Sequence, residues 1–199
     1  MGDSSVIVHL IRHEKTKANL ERKYIGWTDE SIVYDKVNCI VPIHTDVVYG
    51  SDLKRCLETA RLYFPNAVFH PFFELRELNF GDFEMKTYED LKDDERYRQW
   101  IDVPQKVTPP NGEAFTAFQK RVLDCFQQIV EHPGIYVFVV HGGVIRLILS
   151  KFCEEKNFQE VVVQHRNIYT LFWDDIESLK GGEVCNRLSV APIMVNENL

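Results

Sequence analysis

The sequence predicts an α/β fold in three layers, with a mostly parallel central sheet and helices on both faces. Two runs carry that reading. Val6-Ile7-Val8-His9-Leu10-Ile11 and Ile135-Tyr136-Val137-Phe138-Val139-Val140 are almost unbroken in apolar and β-branched residues, the pattern of strands covered on both faces. Helical spacing of apolar residues is clearest at Phe115, Phe118, Val122, Cys125 and Ile129. With 199 residues the chain reads as one domain, 1–199, with room for a substantial core.

The elements follow in order. After the first strand, residues 14–31 read as a polar loop with a short helix. Ile25-Gly26-Trp27-Thr28-Asp29 is turn-like, and Gly26 permits close approach of backbone to a ligand. Residues 32–46 carry no clear pattern, and Pro42 breaks any helix there. Thr45 to Tyr49 is a short strand. Leu53, Leu57, Ala60, Leu62 and Tyr63 then mark a helix that Ser51 or Asp52 can cap. Ala67 to His70 is another strand. Thr87 with Asp90 has the spacing of a capping box, opening a polar helix to about Gln99 that lies over the body. Pro104, Pro109 and Pro110 mark a loop, and residues 79–110 together form a candidate lid or specificity segment. A strong amphipathic helix opens near Asn111-Gly112-Glu113 and ends before Pro133-Gly134. After the second buried strand come a helix from Val144 to about Phe152, strands over 169–173 and 188–195, and a turn at Gly181-Gly182.

Composition bounds the function. The net charge is −7, a field that repels polyanions and argues against nucleic acid, although a few arginines can reverse the sign locally. No apolar run approaches the ~20 residues of a membrane helix. The first residues lack the pattern of a signal peptide. Five cysteines, Cys39, Cys56, Cys125, Cys153 and Cys185, stand outside any CxxC spacing. They suit a reduced, cytoplasmic interior and offer no metal framework. No feature specifies an oligomeric state.

Both buried strands end at a histidine. The first stops at Arg12-His13 and the second at His141-Gly142-Gly143. Ligands in such folds bind beyond the carboxyl ends of the strands. Arginine grips phosphate or carboxylate through a planar fork, and histidine is a nucleophile or proton carrier near neutral pH. Glycines at a helix N-terminus let backbone N–H groups approach an anion. Arg55 falls near the end of a third strand. Glu74, Glu77 and Glu84 sit among Phe72, Phe73, Phe80 and Phe83, a setting that raises a carboxyl pKa. All three are candidate general acids, with a solvated surface position the competing reading for each.

These motifs together resemble the histidine phosphatase (phosphoglycerate-mutase-like) superfamily, and within it the small bacterial phosphatases of the α-ribazole-phosphate type. Arg12-His13-Glu14-Lys15-Thr16-Lys17-Ala18-Asn19 matches its Arg-His-x-x-Thr-x-x-Asn. Gly26-Trp27 and the run from Ser51 through Leu53, Arg55 and Thr59 to Ala60 match the next motifs. Leu75, Glu77, Gly81 and Glu84 match the acidic one, and His141-Gly142-Gly143-Val144-Ile145-Arg146 the last. Three departures stand out. Glu14 and Met85 replace glycines usual in the family, and the segment between Trp27 and Ser51 lacks the family's helix pattern.

The resemblance implies two-step phosphoryl transfer. His13 attacks phosphorus to give a phosphohistidine. Arg12, Arg55 and Asn19 bind the phosphoryl oxygens with Gly26 and Gly142, and His141 donates as imidazolium once the dianion is bound. Glu77 is the general acid, with Glu84 the second choice. Arg146 also fits a motif, or pairs with a surface acid. No metal or cofactor is implied, because arginines and histidines supply the charge, and the partner is a small phosphorylated metabolite. The alternatives are a phosphoglycerate mutase, a kind of family member that usually carries longer insertions than this short chain, and a phospho-ligand-binding protein without turnover.

Overall fold

The computed structural model describes residues 4–33, 38–154 and 157–196. Its six-stranded sheet has the order β4-β3-β5-β1-β6-β7. The strands are β1 (Val6–Arg12), β3 (Val47–Ser51), β4 (Val68–Phe72), β5 (Gly134–Val140), β6 (Asn167–Trp173) and β7 (Arg187–Pro192). Strands β4, β3, β5 and β1 run parallel, while β6 and β7 are antiparallel to their neighbours. A two-stranded sheet pairs β2 (Asn38–Ile40) with β8 (Met194–Asn196). The helices are α1 (Lys17–Leu20), α2 (Lys54–Tyr63), α3 (Tyr88–Leu91), α4 (Glu95–Asp102), α5 (Phe115–Ile129), α6 (Gly142–Phe152) and α7 (Ile176–Lys180).

Strand alternation divides the core into two layers. Val6, Val8 and Leu10 of β1 and Phe138 and Val140 of β5 pack with α5, α6 and α7. Ile11, Val137 and Val139 point the other way and pack with Cys56, Ala60 and Tyr63 of α2. The central strands are thus apolar on both faces, which is why their sequences do not alternate.

No helix occupies residues 28–33 or 38–53, where the sequence shows no helix pattern. Residues 34–37, inside the stretch without a readable pattern, lie outside the described residues. The third strand begins at Val47 and not Thr45. Helix α2 has Leu53 at its N-cap and no side-chain cap, because Asp52 is engaged in a two-pronged ion pair with Arg76, 2.7 Å at each contact. The capping box of Thr87 and Asp90 forms, but the polar helix breaks into α3 and α4, with Asp94 capping the second. Helix α7, capped by Asp175, fills part of the gap before the glycine turn.

Candidate active site

Strands β1 and β5 lie side by side with Arg12 opposite Val140. The residue after each strand is a histidine, so the topology brings His13 next to His141. Their ring centroids are 5.2 Å apart, edge to face. The His13 backbone N–H donates to Val140 O at 2.9 Å, extending the ladder one residue beyond the strand. Both imidazoles are buried.

Hydrogen bonds set the form of each ring. His13 Nδ1 lies 2.6 Å from the carbonyl oxygen of Glu14. A carbonyl only accepts, so Nδ1 carries the proton and Nε2 keeps its lone pair. Burial first, then the charges of Arg55 and Arg12, hold the His13 pKa well below the ordinary imidazole value. His141 Nδ1 accepts from Arg55 Nε at 3.3 Å, and its Nε2 faces Cys56 Sγ at 3.6 Å. That ring is neutral too, depressed by burial and then by Arg55. The thiol of Cys56, pushed up to about 12 by burial, stays protonated.

A cavity of about 660 Å³ opens beside His13. Arg12, His13, Asn19, Glu77, Gly142 and Arg146 line it. Arg12 donates to Val163 O at 2.9 Å, while its Nε is buried without a partner among the described residues. Asn19 accepts from the Thr16 N–H through Oδ1, which leaves its NH₂ as the donor end. Arg146 also carries a buried Nε with no partner among the described residues; burial lowers the pKa of Arg12, and the charge of Arg146 adds to that. The local field is therefore cationic in a chain of net charge −7.

Glu77 is buried and reaches the same cavity. Its Oε2 accepts from the Gly143 N–H at 2.7 Å and its Oε1 from the Leu78 N–H at 2.9 Å. The N-terminus of α6 is thus met by a side chain of the chain itself, the carboxyl group of Glu77. Glu84 has different work. Its Oε1 accepts from Trp27 N at 2.7 Å and Phe80 N at 3.3 Å, and its Oε2 from Thr28 N at 2.7 Å and from the Thr28 hydroxyl. That carboxylate ties two loops together and does not line the cavity.

Arg55, His141 and Gly26 do not line the cavity either; they form a buried layer that supports His13. Arg55 Nη1 donates to Thr28 O at 2.8 Å and Nη2 to Gly26 O at 2.6 Å. Gly26 is tightly packed: a Cβ there would stand 2.1 Å from Leu78 O. Each Nη of Arg55 retains one N–H beyond these bonds.

Two residues escaped the sequence reading. His165 stacks edge-on against His13 at 5.8 Å, with a buried Nε2 that has no partner among the described residues. Burial, then Arg12 and Lys15, lower its pKa to about 3. Arg121 of α5 bonds Glu113 through Nε and Nη2, at 2.7 and 2.8 Å, and the carbonyls of Glu74, Arg76 and Glu77 at 2.6–2.9 Å. It clamps the segment that carries Glu77. The signal was a charged residue adjoining the apolar stripe of Phe118, Val122 and Cys125.

The far wall of the cavity is aromatic. Tyr24, Phe80, Trp100, Phe115 and Phe158 line it, Trp100 coming from α4 and Phe80 from the segment before α3. Among the described residues no group of three or more His, Cys, Asp or Glu side chains gathers to hold a metal ion, and no helix is long and apolar enough to cross a membrane.

Comparisons with known proteins identify relatives of this chain. A curated adenosylcobalamin/alpha-ribazole phosphatase of Escherichia coli (strain K12) is 33% identical over 155 residues, covering 71% of this chain and 76% of that protein. The alpha-ribazole phosphatase of Shigella flexneri superposes with a TM-score of 0.73 at 27% identity, over 83% of this chain and 89% of that one. The phosphoglycerate mutase of Bacillus anthracis str. Sterne shares the fold, with a TM-score of 0.72 at 21% identity over 96% and 93%. The profile of the histidine phosphatase superfamily (branch 1) matches residues 38–179, taking in Arg55, Glu77 and His141, while β1 adds Arg12 and His13 beside them. The chain belongs to the histidine phosphatase superfamily.

Proposed function

We propose that this chain is a metal-independent phosphatase that hydrolyses a small phosphomonoester through a phosphohistidine on His13. The observation that carries this reading is the bond from His13 Nδ1 to Glu14 O. It leaves Nε2 unprotonated in a cavity lined by Arg12, Asn19 and Glu77.

In the first step the Nε2 lone pair attacks phosphorus, forming the N–P bond as the P–O bond to the leaving group breaks. Arg12 and the NH₂ of Asn19 neutralise charge on the phosphoryl oxygens. Arg55 holds His141 and the 26–28 loop in place behind the nucleophile. His141 packs edge to face against His13 and holds that ring in place. Glu77 protonates the leaving oxygen and then, as carboxylate, takes a proton from the water that cleaves the N–P bond. Each of its oxygens accepts one backbone N–H, which leaves a lone pair for that proton.

The aromatic wall supports a leaving group with a planar, apolar part. A cavity of about 660 Å³ suits a ligand larger than a glycerate. The alpha-ribazole phosphatases among the similar proteins make α-ribazole phosphate the first substrate to assay. Residues 79–110 supply Phe80, Trp100, Ile101, Asp102 and Pro104 to the cavity, which supports a specificity role for that segment. A cytoplasmic setting goes with five cysteines outside any CxxC spacing.

The test is hydrolysis of p-nitrophenyl phosphate in the presence of a chelator. The reading expects turnover that disappears in His13→Ala. Isomerisation of 3-phosphoglycerate stimulated by 2,3-bisphosphoglycerate would favour a mutase instead, and ligand protection against heat with no turnover would favour a binding protein.

A further inference from the structure

Glu14 stands where the family usually has glycine. A buried acid next to the nucleophile needs a reason, since an unpaired buried carboxylate is costly. Its side chain is 5% exposed. Oε1 accepts from the hydroxyl of Tyr63 and from Arg166 Nε at 2.8 Å. The Glu14 backbone N–H donates to Thr59 Oγ1 at 2.8 Å, and the Thr59 hydroxyl passes on to Arg55 O at 2.6 Å. The Glu14 carbonyl accepts from His13 Nδ1. One residue therefore ties the nucleophile to α2, to the backbone of Arg55 and to the loop leading into β6.

A glycine after His13 would leave this peptide free to rotate about its own φ and ψ. Here the peptide is pinned at the N–H, at the side chain and at the carbonyl. The pinned carbonyl is the group that decides which ring nitrogen of His13 carries the proton. We propose that Glu14 is a positioning residue: its carboxylate, held by Tyr63 and Arg166, fixes the carbonyl that keeps the His13 proton on Nδ1 and Nε2 nucleophilic. This rests on the reading of His13 as nucleophile for its catalytic consequence, but not for its effect on the tautomer.

The test pairs nitrogen-15 histidine spectra with p-nitrophenyl phosphate kinetics, on the full chain. The wild type shows His13 as the Nδ1–H tautomer. In Glu14→Ala the signals move to a mixture of tautomers and kcat falls roughly tenfold to a hundredfold, with KM within about twofold, as expected for misplacing a reacting atom. Glu14→Gln, which keeps an acceptor oxygen for Tyr63 and Arg166, recovers most of the loss. If Glu14→Ala does not fold, Tyr63→Phe carries the test, with the same mixing and a smaller fall in kcat. A folded Glu14→Ala, or a folded Tyr63→Phe in its place, with an unmixed Nδ1–H tautomer and unchanged kcat overturns the proposal. A wild type without phosphatase activity overturns the functional reading, and the tautomer arm still decides this one.

Discussion

The backbone N–H of Gly143 donates to Glu77 Oε2 at 2.7 Å, and a Cβ at position 143 would stand 2.1 Å from Glu77 Oε1. The carboxylate occupies the space that any larger residue would take. Because the obstructing atoms are the end of a flexible side chain, Gly143→Ala displaces Glu77 at little cost to the fold. The expected result is a kcat lower by about a hundredfold with a melting temperature close to wild type. Thermal unfolding and steady-state kinetics on one preparation check it. Equal losses of stability and activity would point to a packing defect.

Glu77 and Glu84 separate by the nature of their partners. Glu77→Gln removes the proton carrier. Against an alkyl phosphate, kcat/KM falls by about 10² to 10⁴, while p-nitrophenyl phosphate, whose leaving oxygen needs no proton, loses far less. Glu84→Ala instead strips acceptors from Trp27, Thr28 and Phe80 and lowers stability by roughly 2 kcal/mol or more, read by urea denaturation. A leaving-group dependence in the Glu84 variant and none in the Glu77 variant would reverse the assignment.

Imidazoles that folding desolvates link stability to pH. His13, His141 and His165 all have pKa values lowered mainly by burial, His165 to about 3. Unfolding returns each to about 6.5. Between the two values the unfolded chain binds more protons, so stability rises with pH there. The contribution is complete above about 6.5 and is lost as pH falls toward 3. Urea midpoints from pH 7.5 to 5 should therefore decline, and the decline should be shallower in His165→Gln. Parallel curves for the two proteins would remove His165 from this account.

Arg146 lines the cavity with a buried Nε that, among the described residues, has no hydrogen-bond partner and joins no ion pair. Its charge is available to a substrate anion. Arg146→Ala is expected to raise KM by about tenfold, the loss of one charge-assisted hydrogen bond, without lowering the urea midpoint. An unchanged KM would make it a surface cation.

What could be read from the chain follows the range of the interactions. The runs that became β1 and β5 were legible because burial on both faces leaves an unbroken apolar pattern. Their parallel pairing then sets His13 beside His141 without further information. The capping box at Thr87 and Asp90 was legible because it is local, three residues apart. The partners of Glu14 were not: Tyr63 and Arg166 lie 49 and 152 residues away. The aromatic surroundings of Glu77 suggested an apolar pocket, but α6 supplies a backbone N–H across 66 residues. Arg55 fits its motif, yet its guanidinium turns to Gly26, Thr28 and His141, contacts that depend on how the 26–28 loop is tied down by Glu84. Strand β2 pairs with the end of the chain in a three-residue match too short to leave a periodicity. Met85 takes a φ of +61°, the left-handed conformation that explains why glycine suits that position.

The central claim is that His13 Nε2 becomes covalently phosphorylated. The most direct measurement is rapid quenching of the enzyme with a ³²P-labelled phosphomonoester, followed by mapping of the labelled peptide. The account expects a label stable in alkali and lost in acid, located on His13, and absent from His13→Ala. Turnover without a covalent label in the wild type, or a label retained in His13→Ala, would contradict it.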